Sequence, residues 1–218
     1  MTKDEVCARI REIGIIPAIR VSSSEDAHFA TEAIASGGIP MVEITMTVPG
    51  AIQLISHLVR DHREIIVGAG TVLDVEIARQ CKGAGASFIT APGFDLEIVE
   101  FAVKGDLAAL PGGLTPTEVV RAWKAGADFV KVFPCAQVGG ARYIKALKTA
   151  LPQIPLIAAG GVNQHTAANL IIAGADAIGV GKELIPADAI RLRKPDRVRE
   201  LSRRFAGFVR EGREQLHG

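Results

Sequence analysis

Short apolar runs recur along this chain, their starts 20 to 27 residues apart: Ile15–Arg20 (IIPAIR), Met41–Thr45 (MVEIT), Ile65–Ala69 (IIVGA), Ser87–Thr90 (SFIT), Leu107–Pro111 (LAALP), Phe129–Phe133 (FVKVF), Leu156–Ala159 (LIAA) and Ala177–Val180 (AIGV). Each has the length of a buried strand. Between them, stretches such as Glu25–Ser36, Ala51–Arg60 and Thr117–Ala125 space their apolar residues with helical periodicity. Strands alternating with helices predict parallel pairing through right-handed crossovers.

A weak internal repeat supports the count. SGGIPMVEI, GAGASFIT, KAGADFVKV and IAGADAIGV each set glycine at a helix end with an apolar strand just after. Glycine there can take the left-handed conformation that turns the chain back into the sheet. Eight strand–helix units in 218 residues predict a compact (β/α)8, or TIM, barrel, with an open doubly wound sheet as the alternative. The expectation is one domain over residues 1–218, with a short helix before the barrel and a helix after it.

Composition narrows the classes. A 23.0 kDa chain would expose roughly 33,000 Å² unfolded and about 9,600 Å² when compact, enough burial for one core. The hydrophobic share of 48% excludes disorder, and three cysteines exclude a disulfide scaffold. A net charge of +1 gives no overall pull towards nucleic acid or an anionic membrane. MTKDEVCARIREIG carries charges where a secretory leader needs an apolar run, and no 18-residue uncharged apolar stretch occurs. The expectation is a soluble, cytoplasmic protein with neither nucleic-acid nor membrane partners. The basic tail, nine Lys or Arg between Arg191 and Arg213, reads as the solvated face of a last helix that buries Leu201, Phe205 and Phe208.

In such barrels the active groups sit at the C-terminal ends of the strands. Only three ionisable residues fall inside the eight runs, none before the midpoint of its run: Arg20, Glu43 and Lys131. Period-two alternation puts Phe129, Lys131 and Phe133 on one face, with Val130 and Val132 against the helices, so Lys131 should point into the barrel. Desolvation penalises the charged form of an amine, and a free amine can form a Schiff base with a carbonyl. Glu43 should face inward with Thr45, where a carboxylate could move protons during imine chemistry. A purely structural Lys131–Glu43 ion pair fits the same pattern.

Glycines follow the seventh and eighth runs, Gly160, Gly161 and Gly181, where many barrels hold a phosphate on bare backbone N–H groups; tight turns would also use them. Walker-type and dinucleotide fingerprints are absent. The histidines His28, His57, His62, His165 and His217 show no HxH or HExxH spacing, so no metal site is expected. Cys7, Cys81 and Cys135 have no CxxC spacing, and Cys135 reads as a buried thiol.

Together IPAIR, GGIPMVEIT, VGAGTVL, APGF, PGGLTPTE, KVFP, GGARYIKALK and GGV, in this order from Ile16 to Ala187, resemble the 2-keto-3-deoxy-6-phosphogluconate / 4-hydroxy-2-oxoglutarate aldolase family. The resemblance implies a class I aldolase without a cofactor, commonly a homotrimer. It implies that Lys131 forms the Schiff base, that Glu43 moves protons, and that Thr71, Pro92 and Phe133 line the pyruvate end. Three positions depart from the family pattern. Thr47 stands where many members carry a carboxylate-binding arginine, Ala159 stands before Gly160-Gly161 in place of threonine, and Gly179-Val180-Gly181-Lys182 replaces Gly-Gly-Ser-Trp. Members specialised for the galactonate epimer also vary at the arginine position, and KVFP…YIKALK is similar to theirs. With Thr47 in that place, Arg20 is the expected carboxylate partner, since a guanidinium can form two parallel hydrogen bonds.

The expected activity is cleavage of a phosphorylated 2-keto-3-deoxy sugar acid, of gluconate or galactonate configuration, to pyruvate and glyceraldehyde 3-phosphate. Cleavage of 4-hydroxy-2-oxoglutarate to pyruvate and glyoxylate is a further expectation. The competing readings are a non-covalent phosphosugar epimerase or isomerase and a non-catalytic sugar-phosphate-binding barrel.

Overall fold

The computed structural model describes residues 1–217, apart from the His217 side chain; Gly218, the end of the expected domain, lies outside them. Helix α1 (Lys3–Ile13) precedes eight strands: β1 (Ile15–Ile19), β2 (Met41–Thr45), β3 (Ile66–Gly70), β4 (Phe88–Thr90), β5 (Ala108–Leu110), β6 (Val130–Val132), β7 (Leu156–Ala159) and β8 (Ala177–Val180). Helices α2 (Ser24–Ser36), α3 (Ala51–Asp61), α4 (Val75–Gly83), α5 (Leu96–Lys104), α6 (Pro116–Lys124), α7 (Ala141–Ala150) and α8 (Ala167–Ile172) alternate with them, and α9 (Ala187–Arg191) and α10 (Pro195–His217) close the chain.

All strand pairs are parallel, in the order β5-β4-β3-β2-β1-β8-β7-β6. The two ends meet. Lys131 N donates to Pro111 O (2.8 Å), Gly113 N to Lys131 O (3.0 Å), and Asp128 N to Ala109 O (3.0 Å). A sheet bonded end to end is a barrel, so the doubly wound alternative falls away. The eight runs match the eight strands with shifts at the edges: Arg20, Ser87, Leu107, Pro111, Phe129 and Phe133 lie outside the ladders, and β3 starts at Ile66.

The repeated glycines behave as expected; Gly126, for one, sits at φ 101°. The aspartate of the same repeat has a role that the periodicity did not reveal. Asp128 Oδ2 accepts from Ala109 N (2.9 Å) and Asp176 Oδ2 from Leu156 N (2.9 Å), so each side chain satisfies an amide at or near the start of the neighbouring strand.

Two apolar layers follow from strand alternation. Val42, Ile44, Val67, Ala69, Ile89, Ala109, Val130, Val132, Leu156, Ala158, Ile178 and Val180 face the helices. Ile16, Met41, Ile66, Phe88, Ala108, Leu110, Phe129, Ile157 and Ala177 fill the interior together with Val6, Cys7 and Ile10 of α1. Helix α1 thus plugs the barrel at the N-terminal ends of the strands, held by a Thr2–Glu5 capping box and by Lys3 on Asp128 (3.1 Å). At the other end of the chain, α10 packs against α8 and α2 and buries Leu201 and Phe205, while Phe208 is half-buried. Arg197, Arg199 and Arg204 of the basic tail pair with Glu200 or Asp196 on the same helix.

Candidate active site

With the floor of the barrel plugged, a site can form only where the interior positions near the strands' C-terminal ends leave room. Two residues beyond Ile16 comes Ala18; beyond Ile157, Ala159; beyond Ala177, Gly179; beyond Ile66, Gly68 and Gly70. In the same step Phe88 gives way to Thr90, Met41 to Glu43 and Phe129 to Lys131. Small residues therefore surround a cluster of three polar ones.

That cluster is made. Lys131 Nζ lies 3.4 Å from Glu43 Oε2 and 3.3 Å from Thr90 Oγ1, and 5.9 Å from the centre of the Phe133 ring. The lysine side chain is 13% exposed and the glutamate 4%, so the pair is sheltered yet the amine remains reachable. Thr90 was missed by the sequence reading; its signal was a hydroxyl in phase with Phe88 at the last position of a strand.

Glycine makes the room. A Cβ on Gly70 would lie 2.0 Å from Glu43 Oε1, and one on Gly68 would lie 2.1 Å from the Phe88 ring. The GAG of VGAGTVL is thus a packing requirement of Glu43 and Phe88. Thr71, next in chain, holds φ 57°, a left-handed conformation that a β-branched residue adopts only under strain. Such strain, of order 1–3 kcal/mol, concentrates at functional sites.

The other expected residues lie around the mouth. Pro92 is exposed after β4, and its carbonyl packs so closely on Gly112 that a Cβ there would come within 2.2 Å. Phe133 is half-buried after β6. Arg20 follows β1 and is exposed, and among the described residues it makes no ion pair. It does not close the strand, because the β1–β2 pairing ends at Ile19↔Ile44. Thr47 is also exposed, 2.7 Å from Thr45 Oγ1. Thr45 spends its one proton on Ile19 O (3.0 Å), so the Thr47 hydroxyl must be the donor to Thr45.

Gly160 and Gly161 both sit at φ 84°, where a Cβ would press on Phe133 and Pro134 (2.9 Å) or on Ala136 (2.3 Å). Close packing of the segment after β6 explains these glycines whatever else they do. Gly181 follows β8, with Lys182 exposed beside it. Cys135 is a buried thiol as expected, pushed up to about 11 by burial, and it faces Gly140 O at 3.8 Å.

The family model of KDPG and KHG aldolases matches residues 6–201. The chain belongs to this family. This aldolase is therefore a carbon–carbon lyase. It is 30% identical over 190 residues to the KHG/KDPG aldolase of Escherichia coli strain K12, covering 87% of this chain and 89% of that one. Among solved structures, a native KDPGal structure superimposes with a TM-score of 0.84 at 31% identity, covering 92% of this chain and 96% of the other. KDPG aldolase from Legionella pneumophila, with pyruvate captured as a covalent carbinolamine, superimposes with a TM-score of 0.83 at 28% identity, covering 90% and 96%.

Proposed function

We propose that this aldolase cleaves 2-keto-3-deoxy-6-phosphogluconate or its galactonate epimer to pyruvate and glyceraldehyde 3-phosphate, and 4-hydroxy-2-oxoglutarate to pyruvate and glyoxylate, through a Schiff base on Lys131. The observation that carries the reading is a sheltered amine within 3.4 Å of a buried carboxylate at the open end of the barrel. Lys131 Nζ adds to the C2 carbonyl, and the carbinolamine loses water to give a protonated imine. Glu43, directly or through water, takes the C4 hydroxyl proton; the C3–C4 electron pair moves into the imine, and the aldehyde departs. Protonation of the enamine at C3 and hydrolysis then release pyruvate and restore the amine. Thr90 and Glu43 together hold Nζ in place between turnovers.

Thr71, Pro92 and Phe133 shape the pyruvate end in this reading. Arg20 meets the substrate carboxylate, because the Thr47 proton is already engaged by Thr45. Gly160, Gly161 and Gly181, after β7 and β8, stand where a phosphate is held in many such barrels. The chain acts as one domain, requires no cofactor and assembles as a homotrimer, as its family resemblance implies. Its three free, buried cysteines suit a reducing cytoplasm.

Borohydride reduction in the presence of pyruvate tests the covalent step. One pyruvyl adduct on the peptide containing Lys131 is expected. Cleavage that proceeds with no adduct at Lys131 after reduction would overturn the covalent role of this lysine. Sedimentation of the untagged chain tests the trimer.

A further inference from the structure

A second constellation lies on the outer face of the barrel. His28 and Glu32 are one turn apart on α2, and packing of α3 beside α2 brings His62, the residue that caps the end of α3, against both. The sequence offered no ligand spacing because His62 is 34 residues away from His28. In the fold, His28 Nδ1 lies 3.6 Å from Glu32 Oε2, and His62 Nε2 lies 3.9 Å from Glu32 Oε1. One ligand atom from each of the three falls within 4.8 Å of the others.

We propose that His28, Glu32 and His62 form a binding site for a divalent transition-metal ion of the zinc class. Two imidazoles and a carboxylate are the donor set such ions favour over magnesium or calcium, which take oxygen ligands. Tetrahedral bonds of about 2.0–2.1 Å place ligand atoms about 3.4 Å apart, so the observed separations need only small side-chain rotations to close on an ion. The histidine rings, 5.4 Å apart at 63°, meet edge to face rather than stacked.

The surroundings favour coordination over a loose surface ion pair. His62 is held by its backbone on both sides, its N–H on Leu58 O (2.9 Å) and its carbonyl under Ile65 N (3.0 Å). Its Nδ1 is 3.6 Å from Glu64 Oε1, which leaves Nε2 aimed at Glu32. A carboxylate behind a histidine is the arrangement that fixes the ring and raises its basicity as a ligand. His28 and Glu32 ride on a helix anchored by buried Ala27, Ala30, Thr31 and Ile34. Three protein ligands would leave a fourth position for water, and His28 and Glu32 also line a groove with His57 and Arg193. The ion would tie α2 to the turn before β3, away from Lys131 inside the barrel.

The test uses the untagged full chain, stripped with a chelator and desalted. Zinc is titrated against a chromophoric chelator, and cobalt(II) is followed by its visible absorption. One equivalent of zinc should bind, cobalt should give the intense bands of a four-coordinate site, and the thermal midpoint should rise by about 5–10 °C at a hundredfold excess over Kd. His28→Ala, His62→Ala and Glu32→Gln should each weaken zinc at least tenfold, Glu64→Gln about 10–100-fold, and His165→Ala not at all. Melting of each variant without metal confirms that it folds. No saturable binding by the parent, or binding by His28→Ala and His62→Ala as tight as the parent's, overturns the site. Aldolase turnover is read separately, so failure of the metal site leaves the Lys131 chemistry standing.

Discussion

Replacing Gly70 with alanine probes the proposed Lys131–Glu43 pair with a single methyl group. Gly70 has no positive φ, so alanine suits its backbone; the obstacle is Glu43. The added Cβ would stand 2.0 Å from Oε1, 2.4 Å from Cδ and 2.5 Å from Cγ. Non-bonded heavy atoms settle near 3.5–4.0 Å, so the carboxylate has to retreat by roughly 1–1.5 Å. Its contact with Lys131 is already 3.4 Å, and that displacement breaks it. Misplacement of a catalytic group by about 1 Å costs on the order of 10²-fold, and loss of general acid–base help about 10²–10⁴-fold. Gly70→Ala should therefore lower kcat by about 10²–10³-fold while Lys131 still forms an adduct with pyruvate. Overpacking should also cost about 1–3 kcal/mol of stability. The assay is steady-state cleavage with coupled pyruvate detection, alongside borohydride trapping and a thermal melt. Gly83→Ala, at an exposed helix end with nothing within 4 Å of the new Cβ, serves as the control for glycine replacement itself. Turnover of Gly70→Ala within threefold of the parent, with stability also unchanged, would refute the placement of Glu43 against Gly70.

Lys131→Arg keeps the charge yet cannot supply an imine-forming amine, so turnover should vanish with the fold nearly intact; activity within tenfold of the parent rules out the covalent role. Arg20→Ala should raise KM for the ketoacid and lower pyruvate affinity, and Thr47→Arg on that background should partly restore both. If pyruvate affinity is unchanged and only phosphorylated substrates weaken, Arg20 belongs to the phosphate end. Backbone N–H groups of Thr115 and Leu114 hold the Glu118 carboxyl below its ordinary 4.5, so the stability it adds is in place above pH 4.5 and drains as pH falls through the lower folded value. In denaturant melts the gap between parent and Glu118→Gln should narrow on acidification below pH 4.5; a gap independent of pH would remove this capping carboxylate from the acid response.

The barrel was legible because its signals are local. Apolar runs, helical spacing and a glycine before several of the strands are visible in short windows, and they set the order of elements. Lys131 and Glu43 were legible for a related reason: a charge between two valines, or between Val42 and Ile44, is conspicuous in a strand buried on both faces. Thr90 was not, since threonine is an ordinary strand residue and only closure of the barrel brings it to Lys131. Gly68 and Gly70 stood out in the sequence only as part of the motif VGAGTVL, whereas their neighbours in space, Phe88 and Glu43, explain them by size. Arg20 was read as a strand terminus, but strand ends depend on where the neighbouring ladder stops, and that is set by β2. The cluster of His28, Glu32 and His62 depends on how two helices pack, which no spacing within the chain encodes.

The location of the site follows from one gradient. Along the interior face, Phe88 to Thr90, Phe129 to Lys131, Met41 to Glu43, Ile157 to Ala159 and Ile66 to Gly68 all trade bulk for polarity or for space in a single two-residue step. The larger members meet α1 and form a dry plug. The smaller and polar members lie one layer higher, where filling the volume with side chains would gain roughly 25 cal/mol per Å² of apolar surface buried. The chain forgoes that stabilisation and instead holds a lysine and a carboxylate 3.4 Å apart on rigid strands, with Thr90 as a third contact. Leu110 is the exception, following Ala108 in the opposite direction, and it keeps apolar packing beside the β5–β6 closure. Because the strands that carry Lys131 and Glu43 are also the core of the barrel, the proposed reacting groups inherit the rigidity of the fold, while Arg20, Thr47 and Lys182 stand exposed outside the strands.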